Sequence, residues 1–346
     1  MRTTRRWTAA AAVALSALLT ATACGGTSAA PAASTGSDRS ITVYNAQHEE
    51  LTQAWADAFT EESGIQVVLR NGDDSELGNQ IVQEGAASPA DVFLTENSPA
   101  ISLVDNAKLL APVDQATLQQ VPADYRPSSG NWTGIAARST VFVYNPSQVP
   151  EAERPKSLLD LADPGWKGRW GASPSGADFQ AIVSALLALK GKDATAAWLA
   201  AMKENSVAYK GNSTVMKAVN AGEIPAGVIY HYYWFGDQAD TKENSKNTKL
   251  FYFKNADPGA FVSVSGGGVL ASSKKAADAQ AFVKFVTGKS GQDILRTGTS
   301  FEYPVASGVE ANPALVPLSG LQAPKVDPSQ LNSTEVTDLM TAAGLL

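Results

Sequence analysis

The chain contains one cysteine and two histidines in 346 residues, and acidic residues outnumber basic ones. A lone thiol excludes an internal disulfide, a cysteine cage for zinc and a cysteine-held iron–sulfur cluster, so stability must come from apolar packing. A Ser-His-Asp triad would have to recruit His48 or His231. No serine sits in a Gly-x-Ser-x-Gly elbow, and Gly171-Ala172-Ser173-Pro174-Ser175 does not complete one. Hydrolytic chemistry therefore has little to draw on. Three of the 27 basic residues, Arg2, Arg5 and Arg6, fall in the first 23 positions, which hold no acid. The rest carries 24 basic against 34 acidic residues, a formal charge of −10, which argues against nucleic acid as a partner. The triplet Gly266-Gly267-Gly268 lacks the Lys-Ser/Thr ending of a phosphate loop and the spacing of a dinucleotide fingerprint. It reads instead as a place where the chain crosses between lobes and backbones approach closely.

Residues 1–23 place those arginines ahead of an apolar stretch from Ala9 to Leu19 and the small residues Ala21, Thr22 and Ala23. That is a secretory signal, too short to span a bilayer as a helix of about 20 apolar residues. Cys24, followed by Gly25 and Gly26, resembles the lipidated cysteine of a bacterial lipoprotein cleavage site, which implies attachment to the membrane by a lipid anchor outside the cytoplasm. Residues 24–39, rich in Ala, Ser, Thr and Gly, read as a flexible tether. The remaining ~300 residues suffice for two domains.

Beyond the tether, Ile41–Tyr44 has the pattern of a strand. Leu51, Trp55, Ala58 and Phe59 then follow at helical spacing up to Gly64, and Ile65–Leu69 is again strand-like. Asp74 or Ser75 is a candidate cap for a second helix, and Asp91–Leu94 is another short apolar run. Val141–Tyr144 opens a second series of this kind, with helices expected near 178–190, 193–204 and 213–222 and strands near 206–209 and 226–230. Such alternation predicts an α/β fold with a parallel sheet flanked by helices.

The run Tyr230-His231-Tyr232-Tyr233-Trp234 follows the last of these strands. Ferric ion is a hard cation that prefers anionic oxygen, so two phenolates with a carboxylate and an imidazole suit it. Consecutive residues on a strand point to opposite faces, so both tyrosines reach one ion only if the strand has ended. Gly236-Asp237 is the expected turn. His231 is expected to point away, and Tyr44, Tyr144 and above all Tyr230 to approach the cleft as supporting donors.

The phrase Pro155-Lys156-Ser157-Leu158-Leu159-Asp160-Leu161-Ala162-Asp163-Pro164-Gly165-Trp166-Lys167-Gly168 resembles extracellular solute-binding proteins of ABC importers. Val43–His48, Asp91–Glu96, Ser173–Ala177 and His231–Trp234 narrow the resemblance to the ferric-ion-binding subgroup, over essentially all of 40–346. It implies a two-lobed type II periplasmic-binding-protein fold with two crossing hinge strands, one lobe formed by 40–140 and 265–312 and the other by 141–264 and 313–346. It implies iron held by His48, Glu96, Tyr232 and Tyr233, and a synergistic anion, carbonate or phosphate, on Ser175, Gly176, Ala177, Asn212 and Arg138. The subgroup's anion-contacting asparagine falls on Tyr230 here. The implied protein is a monomeric, non-enzymatic receptor that delivers its cargo to an ABC permease. The competing reading keeps the fold and gives the cleft to an organic anion or a polyamine.

Overall fold

The computed structural model describes residues 39–331 and 333–346. The signal sequence, Cys24 and the tether up to residue 38 lie outside the described residues. Among the described residues no helix is long and apolar enough to cross a membrane.

Among the described residues there are nine strands: β1 (Ser40–Asn45), β2 (Gln66–Asn71), β3 (Val92–Leu94), β4 (Trp132–Tyr144), β5 (Trp170–Ala172), β6 (Ser206–Ala208), β7 (Ala226–Tyr230), β8 (Lys249–Phe251) and β9 (Val262–Val269). Their order across the sheet is β2-β1-β3-β9-β4-β7-β5-β6, with β8 also paired to β4. Parallel pairs lie at both ends, β1 with β2 and β3, and β5 with β6 and β7. The antiparallel strands β9 and β4 lie between them, so the sheet is mixed and not parallel throughout as the alternation implied: these two strands run against their neighbours on both sides. Helices follow the parallel strands, as right-handed crossover connections require. The first, Glu49–Ser63, stops where Gly64 takes a left-handed conformation (φ 70°), the expected glycine C-cap.

β4 links the two ends. Its first part, Trp132–Ser139, pairs with β9, and its second, Thr140–Tyr144, pairs with β7 and β8. The apolar core divides in the same way. Ile41, Trp55, Val92, Phe282 and Val286 pack on one side, while Phe142, Trp170, Phe179, Trp198 and Met340 pack on the other.

Two further sequence expectations change here. β4 begins at Trp132, nine residues before the run predicted from Val141, because its early part mixes Trp, Ile and Ala with Thr, Gly, Arg and Ser and shows no regular apolar period. The glycine triplet lies inside β9 and does not interrupt it. A Cβ on Gly266 would stand 2.6 Å from Ile101 Cγ2, and one on Gly267 would stand 2.8 Å from Ile135 Cγ2. The expected close approach is therefore met by side chains packed over an unbroken strand.

Candidate metal centre in the cleft

The site is built at the C-terminal ends of parallel strands, where open α/β sheets place their ligands. β1 leads into the loop carrying Gln47 and His48, β3 ends just before Glu96, and β7 ends at Tyr230. The backbone then turns directly into the helix His231–Ala239, so Tyr232 and Tyr233 stand on its first turn. This corrects the expected turn at Gly236-Asp237, which lies within that helix. At helical spacing the two side chains diverge less than on a strand, and their rings stack with centroids 4.2 Å apart.

Polar atoms from distant segments converge at this point. Tyr232 donates to Glu96 Oε1 at 2.7 Å and lies 3.2 Å from Asp178 Oδ2. Tyr233 donates to the same Asp178 oxygen at 3.1 Å. His48 Nε2 stands 3.5 Å from Glu96 Oε1, and its ring meets the edge of Tyr232 with centroids 5.0 Å apart. That nitrogen is buried without a hydrogen-bond partner. Arg138, within β4 and fully buried, bonds the Glu96 carbonyl, Ser265 Oγ and Glu302. It therefore lies inside the crossing strand and not ahead of it.

Asp178 escaped the sequence analysis. It occupies the first turn of the helix Ala177–Lys190, whose N-cap is Gly176, and an acid there reads simply as a helix-dipole partner. Tertiary structure gives it another environment. Asn97 Nδ2 donates to its Oδ1 at 2.9 Å and Asn212 Nδ2 to its Oδ2 at 2.7 Å. Asn212 and Arg138, both expected to hold an anion, are thus already engaged by protein carboxylates. Ser175, Gly176 and Ala177 do form the start of the helix that carries Asp178.

Asp74 does not cap its helix, whose N-cap is Asp73. Its buried carboxylate accepts the backbone N–H groups of Glu96 at 2.9 Å and Asn97 at 2.8 Å, fixing the Glu96 loop. Tyr230 is buried between Arg138 and Tyr232, its hydroxyl 3.4 Å from Asn97 Oδ1. Tyr44 and Tyr144 leave the site, binding Glu84 with Arg70 and Arg154 respectively. His231 points away, its Nδ1 accepting from Ser139 N at 3.2 Å.

Burial dominates the electrostatics. It pushes both phenols well above their ordinary pKa of 10, with Asp178 and Glu96 adding to the effect. Burial, then Glu96, raises Asp178 to about 6. Burial, then Arg138, lowers His48 to about 4, leaving a neutral imidazole at pH 7. Burial opposes the charge on Arg138, but Glu96, Tyr232 and Asp178 outweigh it and raise its pKa. Arg138 is the one cationic side chain, among the described residues, that stands against these crowded carboxylates and phenols, which together with an uncharged, unpartnered imidazole offer donors to a further cation. Among the described residues no group of three or more His, Cys, Asp or Glu side chains stands ready to hold a metal ion; here the converging donors include the two phenols. A cavity of about 440 Å³ is lined by Asp74 and Asn97, which hold the Glu96 loop and Asp178, and by Ser175, Ala177 and Gln180. A second cavity, of about 880 Å³, contains none of the converging residues. Chemistry locates the centre.

Residues 87–327 match the family described as bacterial extracellular solute-binding protein. The chain belongs to that family. Its members are receptors and not catalysts. The chain is 70% identical over 309 residues to the Fe(3+)-binding periplasmic protein of Serratia marcescens, covering 89% of this chain and 91% of that one. It is 38% identical to the major ferric iron-binding protein of Neisseria meningitidis serogroup B, covering 92% and 96%. Iron-bound HitA from Pseudomonas aeruginosa has the same two-lobed α/β fold, with a TM-score of 0.83, 42% identity, and coverage of 89% of this chain and all of that one.

Proposed function

We propose that the protein is an extracytoplasmic receptor that captures ferric ion in its interlobe cleft and delivers it to an ABC permease. The observation that carries this reading is the convergence of the Tyr232 and Tyr233 hydroxyls on Glu96 and Asp178, beside the unpartnered Nε2 of His48. The names of the relatives agree with it.

In this reading His48, Glu96, Asp178, Tyr232 and Tyr233 are ligands. The phenols lose their protons to the incoming cation, whose charge is the largest in the site. Two phenolates and two carboxylates place four negative charges around the ion's three positive ones, with Arg138 and Glu302, paired to each other, adding no net charge. A further multivalent anion would worsen that balance, so Asp178 takes the part that the sequence resemblance reserved for carbonate or phosphate. Asn97 and Asn212 orient Asp178, Asp74 positions Glu96, and Tyr230 packs behind Tyr232.

The lobes are proposed as 40–140 with 265–312 and 141–264 with 313–346, supported by the division of the core and by the C-terminal helix packing with the second group. On this division His48 and Glu96 belong to one lobe and Asp178, Tyr232 and Tyr233 to the other. Iron would therefore hold the cleft shut, and opening, protonation or reduction would release it. Lipidation at Cys24 would keep the receptor, a monomer in this reading, at the membrane.

The test is metal analysis with a visible spectrum of protein lacking residues 1–24, before and after addition of a ferric salt in buffer free of phosphate and carbonate. A stoichiometric coloured complex establishes tyrosinate coordination without an added anion. A protein that stays colourless and ignores iron turns attention to an organic anion or a polyamine in the same cleft.

A further inference from the structure

Glu302 is the ion-pair partner of Arg138. Its side chain is fully buried. One carboxylate oxygen, Oε1, is bound by Arg138. The other, Oε2, is buried with no hydrogen-bond partner and lies 4.0 Å from His48 Nε2, itself buried and unpartnered. Two such atoms facing one another are costly, because each has given up water for nothing. If Glu302 served only to neutralise Arg138, its second oxygen would be expected to find a donor.

The separation has a chemical meaning. Two donors each about 2.1 Å from one first-row metal ion stand about 3.0 Å apart when adjacent and about 4.2 Å apart when opposite. His48 Nε2 to Glu302 Oε2, at 4.0 Å, approaches the second value, and His48 Nε2 to Glu96 Oε1, at 3.5 Å, lies between the two.

The backbone holds Glu302 in place from both sides. Phe301 adopts a left-handed conformation (φ 53°), a strained state for a bulky residue that tends to persist where surrounding structure demands it. Tyr303 exchanges two backbone hydrogen bonds with Ala137 of β4, at 2.9 and 2.8 Å. Its ring stacks on His231, the neighbour of Tyr232, with centroids 4.7 Å apart. The segment is thereby tied both to the crossing strand and to the tyrosine helix.

We propose that Glu302 Oε2 is a direct ligand of the cation held by His48, Glu96, Asp178, Tyr232 and Tyr233, with Arg138 fixing its other oxygen. This rests on the ferric reading of the site. The six donors would complete the shell from protein atoms alone, and the sixth comes from a segment in which the sequence analysis found no motif.

Glu302→Gln is nearly isosteric and keeps an oxygen for Arg138. Ferric binding is measured with the full mature chain and ferric salt alone, by visible absorption, electron paramagnetic resonance and competition with a chelator. The expected result is a rise in Kd beyond the roughly 10–100-fold typical of residues outside the ligand shell, with a shifted charge-transfer band and altered rhombicity of the ferric signal. A smaller rise, or any loss of affinity with both spectra unchanged, overturns the proposal, since it would make Glu302 a source of charge and not a ligand. If the wild-type protein itself gives no coloured complex, the ferric reading fails, an outcome distinct from a variant that binds normally. Should Glu302→Gln fail to fold, iron anomalous diffraction from the loaded wild-type protein decides the matter. Oε2 at roughly 2.0–2.2 Å from the iron, the usual carboxylate bond length, supports the assignment, and Oε2 beyond bonding distance overturns it.

Discussion

Tyr232 donates its hydroxyl to Glu96 Oε1 at 2.7 Å, joining the first turn of the helix after β7 to the loop after β3. Without metal, that proton lets a phenol and a carboxylate share a buried space. When a trivalent cation takes its place, the same two oxygens become ligands, so one contact serves both states of the cleft.

Replacing Tyr232 and Tyr233 together by phenylalanine is expected to abolish the visible charge-transfer band. Each anionic ligand lost should cost at least ~2 kcal/mol, so Kd should rise by roughly 10³-fold or more. Stacked rings remain, so the circular dichroism spectrum should be unchanged. A double variant that keeps both colour and tight binding contradicts the ligand assignment.

Asp178→Asn separates stability from function. The buried carboxylate has a raised pKa, so the folded protein favours its protonated form, and the metal-free protein loses stability as pH rises from about 4 through about 6. Amide substitution removes that pH-dependent cost but sets an NH2 group against Asn97 Nδ2 or Asn212 Nδ2, which both donate to Asp178 now, at a cost of roughly 1–3 kcal/mol. The pH dependence of the metal-free Tm over this window should therefore flatten, with little net gain in Tm at pH 7.5, and iron affinity should fall. Adding phosphate or carbonate should improve iron binding by the variant and leave the wild type unaffected. Calorimetry with and without the anions checks each part.

Iron binding should be proton-linked. Both phenols are held protonated well above pH 10 in the empty site, so loading releases two protons, and Kd should rise by about two decades per pH unit as pH falls through the neutral range. Below about 6, Asp178 also carries a proton, and the slope should steepen toward three. His48, lowered to about 4, is already neutral and adds nothing until pH falls near that value. Chelator competition between pH 5 and 8 would give the slopes; a flat profile would rule out phenolate ligands.

Asp74→Asn probes positioning. An amide places a donor opposite one of the two backbone N–H groups that Asp74 now accepts, releasing the Glu96 loop at a cost of roughly 1–3 kcal/mol. Affinity should drop roughly 10–100-fold, as for other residues behind a ligand, with the charge-transfer maximum unchanged because the ligand types are the same. A shifted maximum would show that Asp74 itself coordinates the metal.

Much of this was legible in the chain itself. Alternating apolar runs and helical spacings set the α/β class, because burial of one face imposes its period on the residues. The tyrosine pair, His48 and Glu96 were recognisable as oxygen-rich ligand types carried in motifs. What escaped depended on contacts between distant segments. The early half of β4 is buried beside β9 and carries no continuous apolar run, so only the sheet reveals it. Asp178 read as a helix-start acid until Asn97, Asn212 and the two tyrosines closed around it, and Glu302 lay in no motif at all. Residue type and local spacing are properties of the chain, but a buried carboxylate's partners, and hence its protonation, are fixed only when segments distant in sequence, 34 to 81 residues away for Asp178 and 164 for Glu302, are folded against one another.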